Sequence, residues 1–162
     1  MEDGNDQWVE ELAVREAGTT VEWWKIVWYK RHVPRATFVM WLLCKRRLMT
    51  KDRMKAWGIQ VNTMCVLCRQ QEESMEHHFL ECSITSRIWQ KIQKLCLVYR
   101  WSYPYSAELS WIFRHVHRTK FAVELCYLAL SISMYCGRRR RNEVIFQGKN
   151  INVVEIVQQI VQ

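Results

Sequence analysis

The sequence has only two prolines and five glycines in 162 residues, which excludes collagen-like, linker-like and loop-dominated chains. It also lacks a clean membrane span. The one apolar run of comparable length, residues 121–137, is interrupted by Glu124, Ser131 and Ser133 and falls short of the roughly 18–20 apolar residues a span requires. It reads instead as a buried core helix. The opening residues, MEDGNDQWVE, are acidic and lack the basic-then-apolar order of a secretory signal. Seven cysteines are an odd number and argue against a disulfide framework, so a reducing cytosolic or nuclear setting is expected. There is no internal repeat, and no low-complexity segment beyond the four arginines 138–141.

What is present is aromatic and basic. Nine Trp, six Tyr and five Phe in a chain so poor in turn formers point to a packed, mainly α-helical globule long enough to bury its own core. The net charge of +8 is unevenly spread. Residues 1–22 hold seven acids and one base, leaving 23 bases against 9 acids in the rest, a body of +14. An excess of that size favours an anionic partner, most often nucleic acid.

Residues 1–19 are acidic, without strong apolar periodicity, and read as a flexible leader carrying no site. Thr20 suits the start of a first helix, with Val21, Trp24, Val27 and Trp28 at helical spacing before Pro34. Pro34 opens a second helix to about residue 48, with Phe38, Trp41, Leu42 and Lys45 along one side. Thr50 caps a short third helix, with Asp52 in its first turn, Gly58 as its stop, and Met54 and Trp57 facing the core. After an interruption at 59–82, Ser83 caps an amphipathic helix with Ile84, Ile88, Trp89, Ile92 and Leu95 on one face. Further helices are expected near 108–116, 120–146 and 153–161. The predicted organisation is a leader (1–19), a helical domain that encloses the 59–82 interruption (20–98) and a C-terminal helical extension packing on it (99–162).

Residues 59–82 follow neither helical nor strand periodicity, and they hold the clustered metal-ligand types. Cys65 and Cys68 form a C-x2-C pair whose short turn lets two thiolates face one ion. Cys82 follows, with His77 or His78 within reach as the fourth ligand, and His77 gives C-x2-C-x8-H-x4-C. Three thiolates and one imidazole suit a single structural Zn2+ with no open position for substrate. The order is the reverse of the zinc deaminase pattern, and no proline precedes the pair. Cys44, Cys96, Cys126 and Cys136 stand alone on apolar helical segments and read as buried core thiols.

Directly upstream lie seven bases, Arg35, Lys45, Arg46, Arg47, Lys51, Arg53 and Lys55, against one acid, Asp52. They form a candidate face for RNA or single-stranded DNA, where phosphate contacts supply affinity and exposed aromatics stack on bases. Most of the tryptophans sit at core spacing. Arginines 138–141 read equally well as a nuclear signal, a nucleic-acid contact or the polar face of the long helix.

Several of these features resemble the zinc-binding domain found downstream of the reverse transcriptase in plant non-LTR (LINE-type) retroelements. The resemblance is carried by Val27-Trp28, Val33-Pro34-Arg35, FVMWL at 38–42, RLMTKDR at 47–53, Trp57-Gly58, CVLC at 65–68, Glu76-His77, Phe79, Glu81-Cys82 and Ile88-Trp89. Arg141-Asn142 and Ile145-Phe146 match the R-N-x-x-I-F segment that often follows. In that pattern a Leu follows the metal-binding His, which implies that His77 is the ligand and His78 holds the Leu place. The resemblance implies a non-catalytic helical zinc module that helps a retroelement polyprotein hold RNA or DNA, in company with a reverse transcriptase and in the nucleus, with the cytoplasm as the alternative. No Tyr-x-Asp-Asp polymerase motif is present, and the nine acids after residue 22 are too few to suggest a two-metal nuclease. Neither a membrane nor a small-molecule substrate is implied. The competing expectation is a structural or protein-interaction domain in which zinc clamps the loop and the charge only solubilises.

Overall fold

The computed structural model describes residues 27, 32–98, 104–105, 107–108, 110–111 and 121–162. The expected leader, most of the first helix and most of the 108–116 helix lie outside them. The described elements are α1 (Pro34–Cys44), α2 (Lys51–Ala56), a π-helical turn (His77–Glu81), α3 (Ser83–Leu95), α4 (Phe121–Gln147) and α5 (Val153–Val161). Among the described residues the only β-type pairing is an isolated bridge between Met64 and Glu72.

Pro34 begins α1, where its missing N–H costs nothing. The helix ends at Cys44 rather than near residue 48. Arg46 adopts the left-handed conformation (φ 49°), and the bonds Arg46 N–H to Leu43 O (2.9 Å) and Arg47 N–H to Leu42 O (2.8 Å) close the last turn. The buried face is also not the expected one. Ala36, Thr37, Val39, Met40, Leu43 and Cys44 are buried while Phe38 is 56% exposed. An α1 that is apolar on every side gives periodicity no basis for choosing the inward face.

α4 packs against α1, α3, the π-turn and α5, forming the spine of one core. That core includes Met40, Leu43, Phe79, Ile88, Trp89, Ile92, Cys126, Leu130, Met134, Ile156 and Ile160. Cys44, Cys96, Cys126 and Cys136 are all buried, as their apolar surroundings in the sequence suggest. In α3 the expected Ile88, Trp89 and Ile92 stripe is inward, but Leu95, at the end of the helix, is 58% exposed. Buried Glu108 accepts from Trp89 Nε1 (2.7 Å) and Gln93 Nε2 (3.1 Å), so the polar atoms of that part of the core are satisfied. Asn152 caps α5 by accepting from Val154 N–H (3.0 Å) and Glu155 N–H (3.4 Å).

Arginines 138–141 are not a solvated run. Successive helical residues point about 100° apart, so part of any such run must face inward on a packed helix. Arg140 and Arg141 are 3% and 5% exposed. Arg140 pairs with Glu155 (2.7 Å) and Glu143 (3.4 Å), and Arg141 pairs with Glu73, which is fully buried. Arg141 Nε lies 3.0 and 3.1 Å from the two Glu73 oxygens, and a terminal guanidinium nitrogen lies 2.6 Å from Oε1.

The same carboxylate accepts from Lys51 N–H (3.2 Å) while the Glu73 carbonyl accepts from Asp52 N–H (3.2 Å). Glu73 therefore caps α2 from 22 residues away. Thr50 occupies the N-cap position but makes no side-chain cap bond. One side chain thus joins α2, the loop and α4. Removing one partner of a buried, hydrogen-bonded ion pair leaves the other charge stranded. Arg141→Met is expected to cost about 3–5 kcal/mol in urea unfolding, and Glu73→Gln combined with Arg141→Met to recover most of it. A loss under about 1 kcal/mol in the single variant would place the pair among solvent-screened surface bridges.

Candidate metal centre

The local backbone builds the site in two halves. In the first, residues 64–72 double back: Cys65 N–H donates to Gln71 O (2.8 Å), and Arg69 N–H donates to Cys65 O (2.9 Å). Arg69 takes the left-handed conformation (φ 54°) that turns the chain after Cys68. In the second half, the π-turn delivers His77, and Cys82 forms the N-cap of α3, a place the sequence had suggested for Ser83.

The four side chains meet. One ligand atom from each of Cys65, Cys68, His77 and Cys82 lies within 4.8 Å of all the others. Cys65 Sγ is 4.0 Å from Cys82 Sγ, and Cys68 Sγ is 3.2 Å from His77 Nε2. Tetrahedral zinc, with bonds of about 2.0–2.3 Å, sets its ligand atoms about 3.5–3.8 Å apart. The cluster is therefore the size of a zinc site. Cys65 and Cys82 are fully buried and His77 is nearly so, while Cys68 is half-buried.

Electrostatics point the same way. The Cys82 thiol is held down by its hydrogen bond from Cys65 and by backbone N–H groups of Thr85 and Ile84 at the start of α3. The Cys65 thiol is pushed up by that same contact with Cys82 and by burial, although the Cys68 and Leu67 amides oppose this. Two neighbouring sulfurs compete for one proton unless a cation lets both ionise. Gln70 N–H also lies 3.5 Å from Cys68 Sγ. Backbone amides directed at the sulfurs fit a thiolate-bound metal. Around them, Leu67 packs with Val66, Ile84, Val144 and Ile151 in a small apolar cluster.

His78 lies outside the cluster of ligand atoms, which takes in His77 instead. It is fully buried with its ring edge-on to Phe79, centroids 4.6 Å apart. Burial, then the fields of Arg141 and Arg138, lower its pKa to about 3. Among the described residues neither of its ring nitrogens has a hydrogen-bond partner. It is a neutral imidazole in an apolar position.

A family model described as "zinc-binding in reverse transcriptase" (zf-RVT) matches residues 8–89, just over half of the chain. The chain belongs to this family. No curated protein and no solved structure matches it. All four candidate ligands fall within the zf-RVT match, which also begins upstream of the residues that carry the sequence resemblance. The zf-RVT core does not stand alone in the fold: Arg141, Val144 and Ile151, beyond the matched residues, contact its zinc loop or pack beside it.

The seven bases upstream of the zf-RVT knuckle sit in different environments. Lys51 is buried and donates through Nζ to Met64 O (2.6 Å). Its ammonium thereby holds the knuckle's backbone. Arg46 pairs with Glu76 and Lys45 is half-buried. Arg35, at the start of α1, is exposed but roughly 15 Å of helix away from Arg46. Arg47 and Lys55 are exposed, and half-buried Arg53 bonds the Arg46 carbonyl between them. Arg138 approaches the same turn, 3.4 Å from Met49 O. The sequence did not reveal Glu73 as a tether, because its partners are 22 and 68 residues away and leave no local pattern.

Native mass spectrometry is expected to find one zinc per chain, lost in Cys68→Ser. Chelation should then expose Cys65, Cys68 and Cys82 to iodoacetamide first. Cys44, whose thiol burial pushes to about 12, should lag with the other core cysteines. Simultaneous labelling of all seven would mean that zinc holds the whole core. His77→Leu should abolish zinc binding. His78→Leu should keep it and raise the unfolding free energy by about 1 kcal/mol or more, because two buried unpaired nitrogens disappear. A loss of zinc in His78→Leu would overturn the ligand assignment.

Proposed function

We propose that this zinc module, of retroelement origin, is non-catalytic and binds RNA or single-stranded DNA through the exposed basic turn beside α2. The observation that carries this reading is the gathering of Arg47, Arg53, Lys55 and Arg138 around residues 46–57. Arg53 and Arg138 each approach a backbone carbonyl of the same turn. Asp52 is the acid within that segment. The zinc site supplies rigidity: four protein ligands leave no coordination position for a substrate. The family relationship supports cooperation with a reverse transcriptase, and a nuclear location follows from that role.

A structural or protein-interaction role is the second reading, favoured by the internal use of Lys51, Arg46, Arg140 and Arg141. Salt separates the two. Phosphate contacts predict that the affinity for a fluorescein-labelled oligouridylate falls log-linearly between about 50 and about 200 mM KCl. Arg47→Ala with Lys55→Ala should reduce the slope by about 1.4, near 0.7 per lost contact. Absence of binding at low salt, or a slope unchanged by the double variant, would favour the protein-interaction reading.

A further inference from the structure

Trp57 is 56% exposed at the C-cap of α2, where the sequence pattern had turned it toward the core. Its position is fixed. The Trp57 N–H donates to Arg53 O (3.1 Å) and Met54 O (3.2 Å), and Gly58, left-handed at φ 77°, takes the chain away with nothing within 4 Å of its missing Cβ. The Arg53 guanidinium carbon lies 5.3 Å from the indole centroid. Arg53 is itself pinned by donating to the Arg46 carbonyl. An exposed indole in soluble proteins usually sheds such area into a core; here the backbone and a guanidinium hold it outward.

From this arrangement we infer that Trp57 and Arg53 form a stacking platform for an unpaired base, with Arg47 and Lys55 beside it for the flanking phosphates. The inference rests on the nucleic-acid reading above and specifies what is bound: a single strand rather than a duplex. An indole and a guanidinium both present flat π surfaces to a base, and stacking of this kind tolerates any base identity. Bases already paired within a duplex do not offer a free face. The charge over the ring is the Arg53 guanidinium, which favours a polyanion over an apolar protein surface as the occupant. Phosphate contacts and base stacking thus divide the work, one setting the salt dependence and the other the preference for unpaired strands.

The decisive experiment compares the full chain with its Trp57→Ala and Trp57→Phe variants, each checked for zinc content and unfolding midpoint. Fluorescence anisotropy reads their affinity for oligouridylate and for a duplex RNA of equal length. Trp57→Ala is expected to bind the single strand about 10-fold more weakly with an unchanged salt slope, and to bind the duplex as the wild type does. Trp57→Phe should keep most of the affinity. If Trp57→Ala binds oligouridylate like the wild type, or loses single strand and duplex equally, the platform is wrong although nucleic-acid binding stands. If the wild type binds neither probe, the nucleic-acid reading falls and the platform falls with it.

Discussion

Residues 59–82 cannot be held in place by burying a periodic apolar face, because they do not have one, and the rest of the structure depends on how that is solved. Two polar tethers do it. One is the cluster of Cys65, Cys68, His77 and Cys82, which closes the segment on itself. The other is Glu73, whose carboxylate joins the segment to Arg141 of α4 and to the first turn of α2. A structural zinc contributes about 10–16 kcal/mol in isolated finger peptides, comparable to the roughly 5–15 kcal/mol of a whole domain. A buried ion pair contributes little net free energy over an apolar replacement, yet it strongly penalises any arrangement in which only one partner is present. Zinc on the four ligands would therefore stabilise the closed loop, and Glu73 with Arg141 specifies where that loop sits.

The exposed surface beside α2 follows from those tethers. Glu73 caps α2, and Lys51, the first residue of α2, binds the carbonyl of Met64 on the knuckle. α2 is thereby oriented with Lys55 and Trp57 outward. The Arg46 and Arg53 contacts then lock the turn before α2 against its last turn. Charges that look equivalent in the sequence consequently do different things. Lys51, Arg140 and Arg141 fasten the fold from inside and half-buried Arg46 pairs with Glu76, while Arg47 and Lys55 remain at the surface. The net positive charge of the body therefore overstates the charge that is left at the surface.

Much of this was legible in the sequence for definite reasons. Metal-ligand spacing is local and chemically restrictive, so the zinc set could be read directly, with the family resemblance choosing His77 over His78. The strong stripe of Ile88, Trp89 and Ile92 and the proline at the start of α1 each act through near neighbours. What failed were inferences about direction. α1 is apolar on all sides, so its inward face depends on what α4 presents to it. Trp57 looked like core because tryptophan usually is, and only the capping geometry turns it out. The Glu73 contacts span 22 and 68 residues, and the burial of Arg140 and Arg141 depends on carboxylates from elsewhere in the fold.

The central claim, that one zinc is held by three sulfurs and one imidazole nitrogen from this single loop, is tested most directly by X-ray absorption at the zinc edge of the purified chain. The predicted spectrum fits three sulfurs at about 2.3 Å and one nitrogen at about 2.0–2.1 Å, with no oxygen shell. A fit requiring two nitrogens, or a water oxygen among the ligands, would contradict it: the first would bring His78 back into the site, and the second would open a coordination position that a purely structural centre does not have.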